Sequence, residues 1–109
     1  MEDRVEISLL MDCYNPFLTE KQSKIMQWYY NDDLSLSEIA ELNETSRQAI
    51  YDLIKRCYKQ LLSYESKLNL LRKSIDREKE IINFLEDLKN KYSIDDEDII
   101  KYKEKLENL

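Results

Sequence analysis

SRQAIYDLIKRCYKQLL, residues 46–62, is the stretch whose reading decides the fold of this chain. Ile50, Leu53, Ile54, Cys57 and Leu61 recur at the three- and four-residue steps of a single helical face. If that face turns inward, Gln48, Tyr51, Asp52, Lys55 and Lys59 turn outward, with Arg47 at the edge of the first turn. Between residues 46 and 60 four positive charges stand against one negative, inside a chain of net charge −6. The acidic total argues against a nonspecific nucleic-acid coat protein but leaves room for a binder with a local basic patch. The stretch is therefore either a reader of nucleic acid or a core helix with a solvated basic face.

The residues just upstream bear on that choice. Ser35 and Glu38 have capping-box spacing, and Leu36, Ile39, Ala40 and Leu42 give a short helix. Asn43, Glu44 and Thr45 form a turn, and Thr45 with Gln48 repeats the capping-box spacing at the start of the basic helix. A short helix, a tight turn and a second helix locked against the first make a helix-turn-helix, whose outer face is free for the major groove. Ile39, Ala40 and Leu42 are expected to meet Ile50, Leu53 and Ile54 across that turn, with small Ala40 at the close approach. Two capped helices at this separation favour the reader.

The outward residues then have assignable chemistry. Gln48 is suited to a bidentate contact with adenine, Arg47 to guanine or phosphate, and Tyr51 to phosphate or a thymine methyl. Lys55 and Lys59 suit phosphates, while Asp52 repels them unless it pairs with Arg56 one turn on or accepts from cytosine.

Around this unit the chain reads as all-α, with no Gly and one Pro, Pro16, in 109 residues. Residues 3–14 form a first helix stopped by Asn15 and Pro16, with Val5, Leu9 and Asp12 on one row and Ile7, Leu10, Met11 and Tyr14 beside it. Thr19 caps a second helix, where Ile25, Met26, Trp28, Tyr29 and Tyr30 supply an apolar face. That aromatic cluster is either packing or a base-stacking platform, and helical spacing favours packing.

Beyond the quoted stretch, alternating steps of three and four from Ile54 reach Cys57, Leu61, Tyr64, Leu68, Leu71, Ile75, Glu78, Ile82, Leu85 and Lys89. So persistent a register favours one heptad seam. An unbroken helix from residue 46 to about 90 would be roughly 65 Å long at 1.5 Å per residue. It needs either a second chain or a break, near residues 63–66 or 74–76, that lets it fold back. Ser93 or Asp95 caps a last helix, where Ile99, Ile100, Tyr102 and Leu106 offer an apolar face. The expected organisation is a helix-turn-helix domain over residues 1–62 and a coiled-coil-like helical extension over 63–109, together one compact domain. Leu61, Tyr64, Leu68, Leu71, Ile75, Ile82 and Leu85 are the expected homodimer seam.

Cys13 and Cys57 lie far apart and the chain has no His, so no typical zinc ligand set is present and no cofactor is expected. No apolar run is long enough to cross a bilayer, and no signal peptide is apparent, which points to the cytoplasm without membrane insertion. With no Gly-rich phosphate loop and no nucleophile beside a base, an enzyme is not expected.

LTEKQSKIMQWYYNDDLSLSEIAE, residues 18–41, followed by SRQAIYDLIKRC, residues 46–57, resembles the YlxM family of bacterial helix-turn-helix proteins, and more distantly region four of sigma factors. The likeness covers nearly the whole chain and is most specific in SRQAIYDLIKR. In the turn, Asn43 and Glu44 stand where the pattern more often has a bulky apolar residue followed by Gly or Asn. The resemblance implies a sigma region four-like fold and a regulatory role linked to the signal recognition particle pathway. It also places Ser46 at the start of the recognition helix, with Arg47, Gln48, Tyr51, Lys55 and Arg56 as its contacts. Two functions are weighed: a dimeric, sequence-specific DNA-binding regulator, and a module that binds protein or RNA of the targeting machinery, signal recognition particle components among them.

Overall fold

The computed structural model describes residues 3–109, and the regular structure among those residues is helical, without strands. The order is α1 (Arg4–Tyr14), a 3₁₀ turn at Asn15–Phe17, α2 (Glu20–Tyr30), α3 (Leu36–Leu42), α4 (Arg47–Leu68), α5 (Leu70–Tyr92) and α6 (Asp96–Glu107). Side-chain caps fix the starts of the early helices. Asp3 accepts from the Glu6 amide at 3.0 Å, and full capping boxes pair Thr19 with Gln22 and Ser35 with Glu38. Each box satisfies two backbone N–H groups that a helix start otherwise leaves without partners.

At α4 the cap is Ser46, not Thr45: the Ser46 hydroxyl accepts from the Ala49 amide at 3.1 Å. Thr45 is used differently, its amide donating to the Ala40 carbonyl at 3.0 Å while the Glu44 amide donates to Glu41. Those two bonds, with Glu44 left-handed at φ 51°, make a Schellman closure of α3. The Thr45–Gln48 spacing is thus occupied by the end of one helix rather than the start of the next. Ser46→Ala is expected to lower stability by about 1 kcal/mol, and Thr45→Ala by much less. Urea unfolding followed by circular dichroism checks this, and equal losses would refute the assignment.

The chain divides into two compact units, the first ending at Leu71 and the second running from Arg72 to Leu109. In the first, α4 is the central strut, packed against α1, α2 and α3. Its core joins Ile7, Leu10, Met11 and Tyr14 to Ile25, Met26 and Tyr30, to Ile39 and Ala40, and to Ile50, Ile54, Cys57 and Leu61. Trp28 and Tyr29 pack against this core, which assigns the aromatic cluster to packing. Leu42 does not join it and is 60% exposed, because it lies about 200° around the helix from Ala40. Burial raises the thiol pKa of Cys57 and of Cys13, favouring the neutral forms of both.

The long apolar register is interrupted at Asn69, which adopts the left-handed conformation (φ 56°, ψ 30°) between α4 and α5. This lies past the first window in which the sequence allows a break. Asn tolerates this conformation better than most residues. The first amides of α5 are also provided for: Leu70 donates to the Tyr14 hydroxyl and Leu71 to the Glu65 carboxylate, each at 3.0 Å. The Tyr14 hydroxyl in turn donates to Glu65 at 2.5 Å, so α1 ties down the first two residues of α5. Tyr14→Phe should speed hydrogen exchange at the Leu70 and Leu71 amides. Unchanged exchange there would show that the joint does not depend on the hydroxyl.

The seam residues consequently divide. Leu61 is not available to a second chain, since it is fully buried in the core of its own unit. Tyr64 packs beside Tyr14 and Phe17, with ring centroids 5.8 and 5.2 Å away, and Leu71 also packs on the core. Leu68 and Ile75 stay exposed, Ile82 is half-buried and Leu85 is buried. In the second unit the Arg77 guanidinium donates to the Leu106 carbonyl at 2.9 Å, and Lys89 pairs with Asp96. Asp95 occupies the N-cap position of α6 without a side-chain bond, and Asp96, Glu97 and Asp98 in the first turn suit the helix dipole. Ser93, just before, is left-handed at φ 52°. Among the described residues, no helix is long and apolar enough to cross a membrane.

Candidate nucleic-acid interface

Packing of Ile50, Ile54 and Cys57 into the core leaves the opposite face of α4 to solvent. Ser46, Arg47, Gln48, Lys55, Arg56 and Lys59 are all exposed, and Tyr51 is half-buried. Gln48, Asp52, Lys55 and Lys59 fall within about 60° of one another around the axis. Tyr51 flanks that ridge on one side and Arg56 on the other. The structure therefore brings the expected contact residues onto one surface, apart from Ser46, whose hydroxyl is engaged as the cap.

Two shallow recesses shape this surface. Arg47, Gln48 and Tyr51 line one together with Leu36 from the first turn of α3. Ala49, Asp52, Lys55, Arg56 and Lys59 line the other. Leu36 and Ala49 are additions to the site expected from the sequence. By spacing alone Leu36 belongs with the core of α3, and its position beside α4 depends on the tertiary crossing. Ala49 does carry a local signal, being a small residue on an outward face where an approaching group would need room.

The charges on the ridge are largely uncommitted. Among the described residues, no carboxylate forms an ion pair with Arg47, Lys55, Arg56 or Lys59. Lys55 Nζ lies 6.0 Å from the Tyr51 ring centroid, a cation–π contact that still leaves the ammonium open to solvent. Asp52, for which the sequence offers Arg56 as a partner, accepts instead from Gln48 Nε2 at 3.0 Å. Cations free to meet phosphate thus follow two polar groups near the start of the helix, where recognition helices contact base edges.

A short capped helix, a left-handed turn and a longer helix with a basic outer face define a helix-turn-helix protein. The whole chain agrees: residues 1–106 match the model of the UPF0122 family, described as "Putative helix-turn-helix protein, YlxM / p13 like", and the chain belongs to that family. It is 72% identical over 109 residues to a UPF0122 protein of Clostridium botulinum (strain Alaska E43 / Type E3), covering all of both chains. A UPF0122 protein of Clostridium perfringens (strain ATCC 13124) is 60% identical over 110 residues, covering 100% of this chain and 97% of its own. One from Clostridium acetobutylicum is 50% identical over 110 residues, covering 98% and 93%.

Proposed function

We propose that this protein is a non-enzymatic, cytoplasmic DNA-binding regulator that presents the outer face of α4 to the major groove, with a link to the signal recognition particle pathway. The observation that carries the reading is the row of exposed cations, Arg47, Lys55, Arg56 and Lys59, without acidic ion-pair partners among the described residues. Buried and paired charges serve the fold, whereas exposed unpaired ones of one sign attract a polyanion. The pathway link rests on family likeness alone.

Assembly as a homodimer belongs to the same proposal. In the second unit Leu85 alone is buried, while Ile75, Phe84, Tyr92, Ile100 and Tyr102 are between 37% and 62% exposed. Two helices covering so little apolar surface gain little from their own packing, and a second copy would cover the rest. A two-fold dimer would read half-sites about one helical turn apart.

Titration of labelled duplex DNA across a salt series tests the proposal. Four phosphate contacts per protomer give a slope of log affinity against log salt of about −7 for a dimer and about −3.6 for a monomer. A flat response would remove nucleic acid as the ligand of this face.

A second reading, binding to protein or RNA of the targeting machinery, draws on the acidity of the chain, net −6, and on Glu38, Glu41 and Glu44 near the turn. It predicts partner capture that survives charge reversal at Lys55 and Lys59 but fails on Leu68→Asp, a change at an exposed site.

A further inference from the structure

Gln48 and Asp52 are one turn apart on the exposed ridge of α4, and they are joined to each other. An ionised carboxylate only accepts hydrogen bonds, so the 3.0 Å contact must be made by the amide NH₂ group of Gln48, with its carbonyl directed elsewhere. This changes what the glutamine can read. A bidentate contact with adenine uses the amide NH₂ on N7 and the amide oxygen on the N6 amino group. One of the two N–H donors of that NH₂ is taken by Asp52, which sets the carboxylate beside any base Gln48 meets, and the Gln48 carbonyl together with the free lone pairs of Asp52 makes the pair richer in acceptors than in donors.

We infer that Gln48 and Asp52 act as a joined pair of acceptors that reads the N4 amino group of a cytosine in the major groove, which rests on the DNA-binding function proposed above. In that groove cytosine presents a lone donor, whereas guanine presents only acceptors and thymine an acceptor and a methyl group. Adenine has an amino donor, but its N7 lies next to it, and a carboxylate close to N7 is repelled. Cytosine is the base that carries a donor and no acceptor of its own on the groove edge, the nearest acceptor being O6 of the paired guanine. The downstream groups suit this placement: Lys55, Arg56 and Lys59 line the recess that holds Asp52, so cations next to the carboxylate can take phosphates while it faces a base. Asp52 thereby becomes the residue that sets specificity, both through its own contact and through its hold on Gln48.

The test is selection of the full-length protein against a randomised duplex DNA library, with wild type, Asp52→Ala and Gln48→Ala in parallel. Both positions are exposed, and an unchanged helical circular dichroism signal and melting temperature confirm that the variants fold. Wild type should select cytosine at one position of the half-site. Asp52→Ala removes the carboxylate that repels adenine N7 and leaves both N–H donors of Gln48 open, so the same position should switch from cytosine to adenine, with a change in relative preference of roughly tenfold. Gln48→Ala should weaken selection at that position alone. A wild-type preference for adenine, guanine or thymine there, or cytosine retained by Asp52→Ala, overturns the inference and leaves DNA binding standing. Failure of the wild type to retain any duplex at low salt overturns the DNA-binding function, and the base-reading pair with it.

Discussion

Ile54→Ala is expected to destabilise the first unit by about 2–5 kcal/mol, the usual cost of emptying a buried branched aliphatic site. Ile54 is fully buried on the central helix, against a core drawn from α1, α2 and α3. Domains of this size are commonly stable by only about 5–10 kcal/mol, so one substitution would consume a large share of the margin. Lys59→Ala, on the exposed face of the same helix, should change stability by less than about 0.5 kcal/mol. Urea titration of the two variants compares them. Equal midpoints would mean that α4 does not turn Ile54 into the core, and the outward face assigned to it would then be wrong.

The second large effect concerns that outward face. Lys55→Glu combined with Lys59→Glu should weaken duplex binding about a hundredfold per protomer at 0.1 M salt, since each lysine–phosphate pairing is worth close to a factor of ten. The salt slope should become shallower by about 1.8 per protomer. The fold should survive, because both side chains are exposed and neither forms an ion pair among the described residues. Anisotropy titrations of the double variant measure both quantities. Wild-type affinity in the variant would move the interface off α4.

The sequence discloses these two faces to different depths. The inward face is legible because burial follows the helical period: Ile50, Ile54 and Cys57 fall where spacing alone puts them. The caps at Thr19 and Ser35 are legible because a capping box is local chemistry. Ser46 and Thr45 compete for one role, and only the closure of α3 decides between them, since the Thr45 amide is already bound to Ala40. The family likeness points to Ser46.

The end of the register is legible only in part. A run of apolar positions through Leu68 and Leu71 looks the same whether it faces a partner chain or its own core. What separates the cases is Tyr14, far away in sequence, whose hydroxyl serves Glu65 and the start of α5. Long-range hydrogen bonds of that kind leave no periodic trace. The Gln48–Asp52 bond does carry a trace, its four-residue separation, but Arg56 stands at the same distance on the other side and is the more obvious partner for a carboxylate.

The turns at the helix ends also matter to the chain before it folds. Among the described residues Asp33, Glu44, Asn69 and Ser93 are left-handed, each in a connection between helices, and the sequence contains no glycine. Glycine would enter these conformations with less steric cost, but it also widens the range of shapes open to the denatured chain. Using side-chain-bearing residues at all of them narrows that denatured ensemble. The local penalty of the left-handed turns is thus partly offset by a smaller loss of disorder on folding.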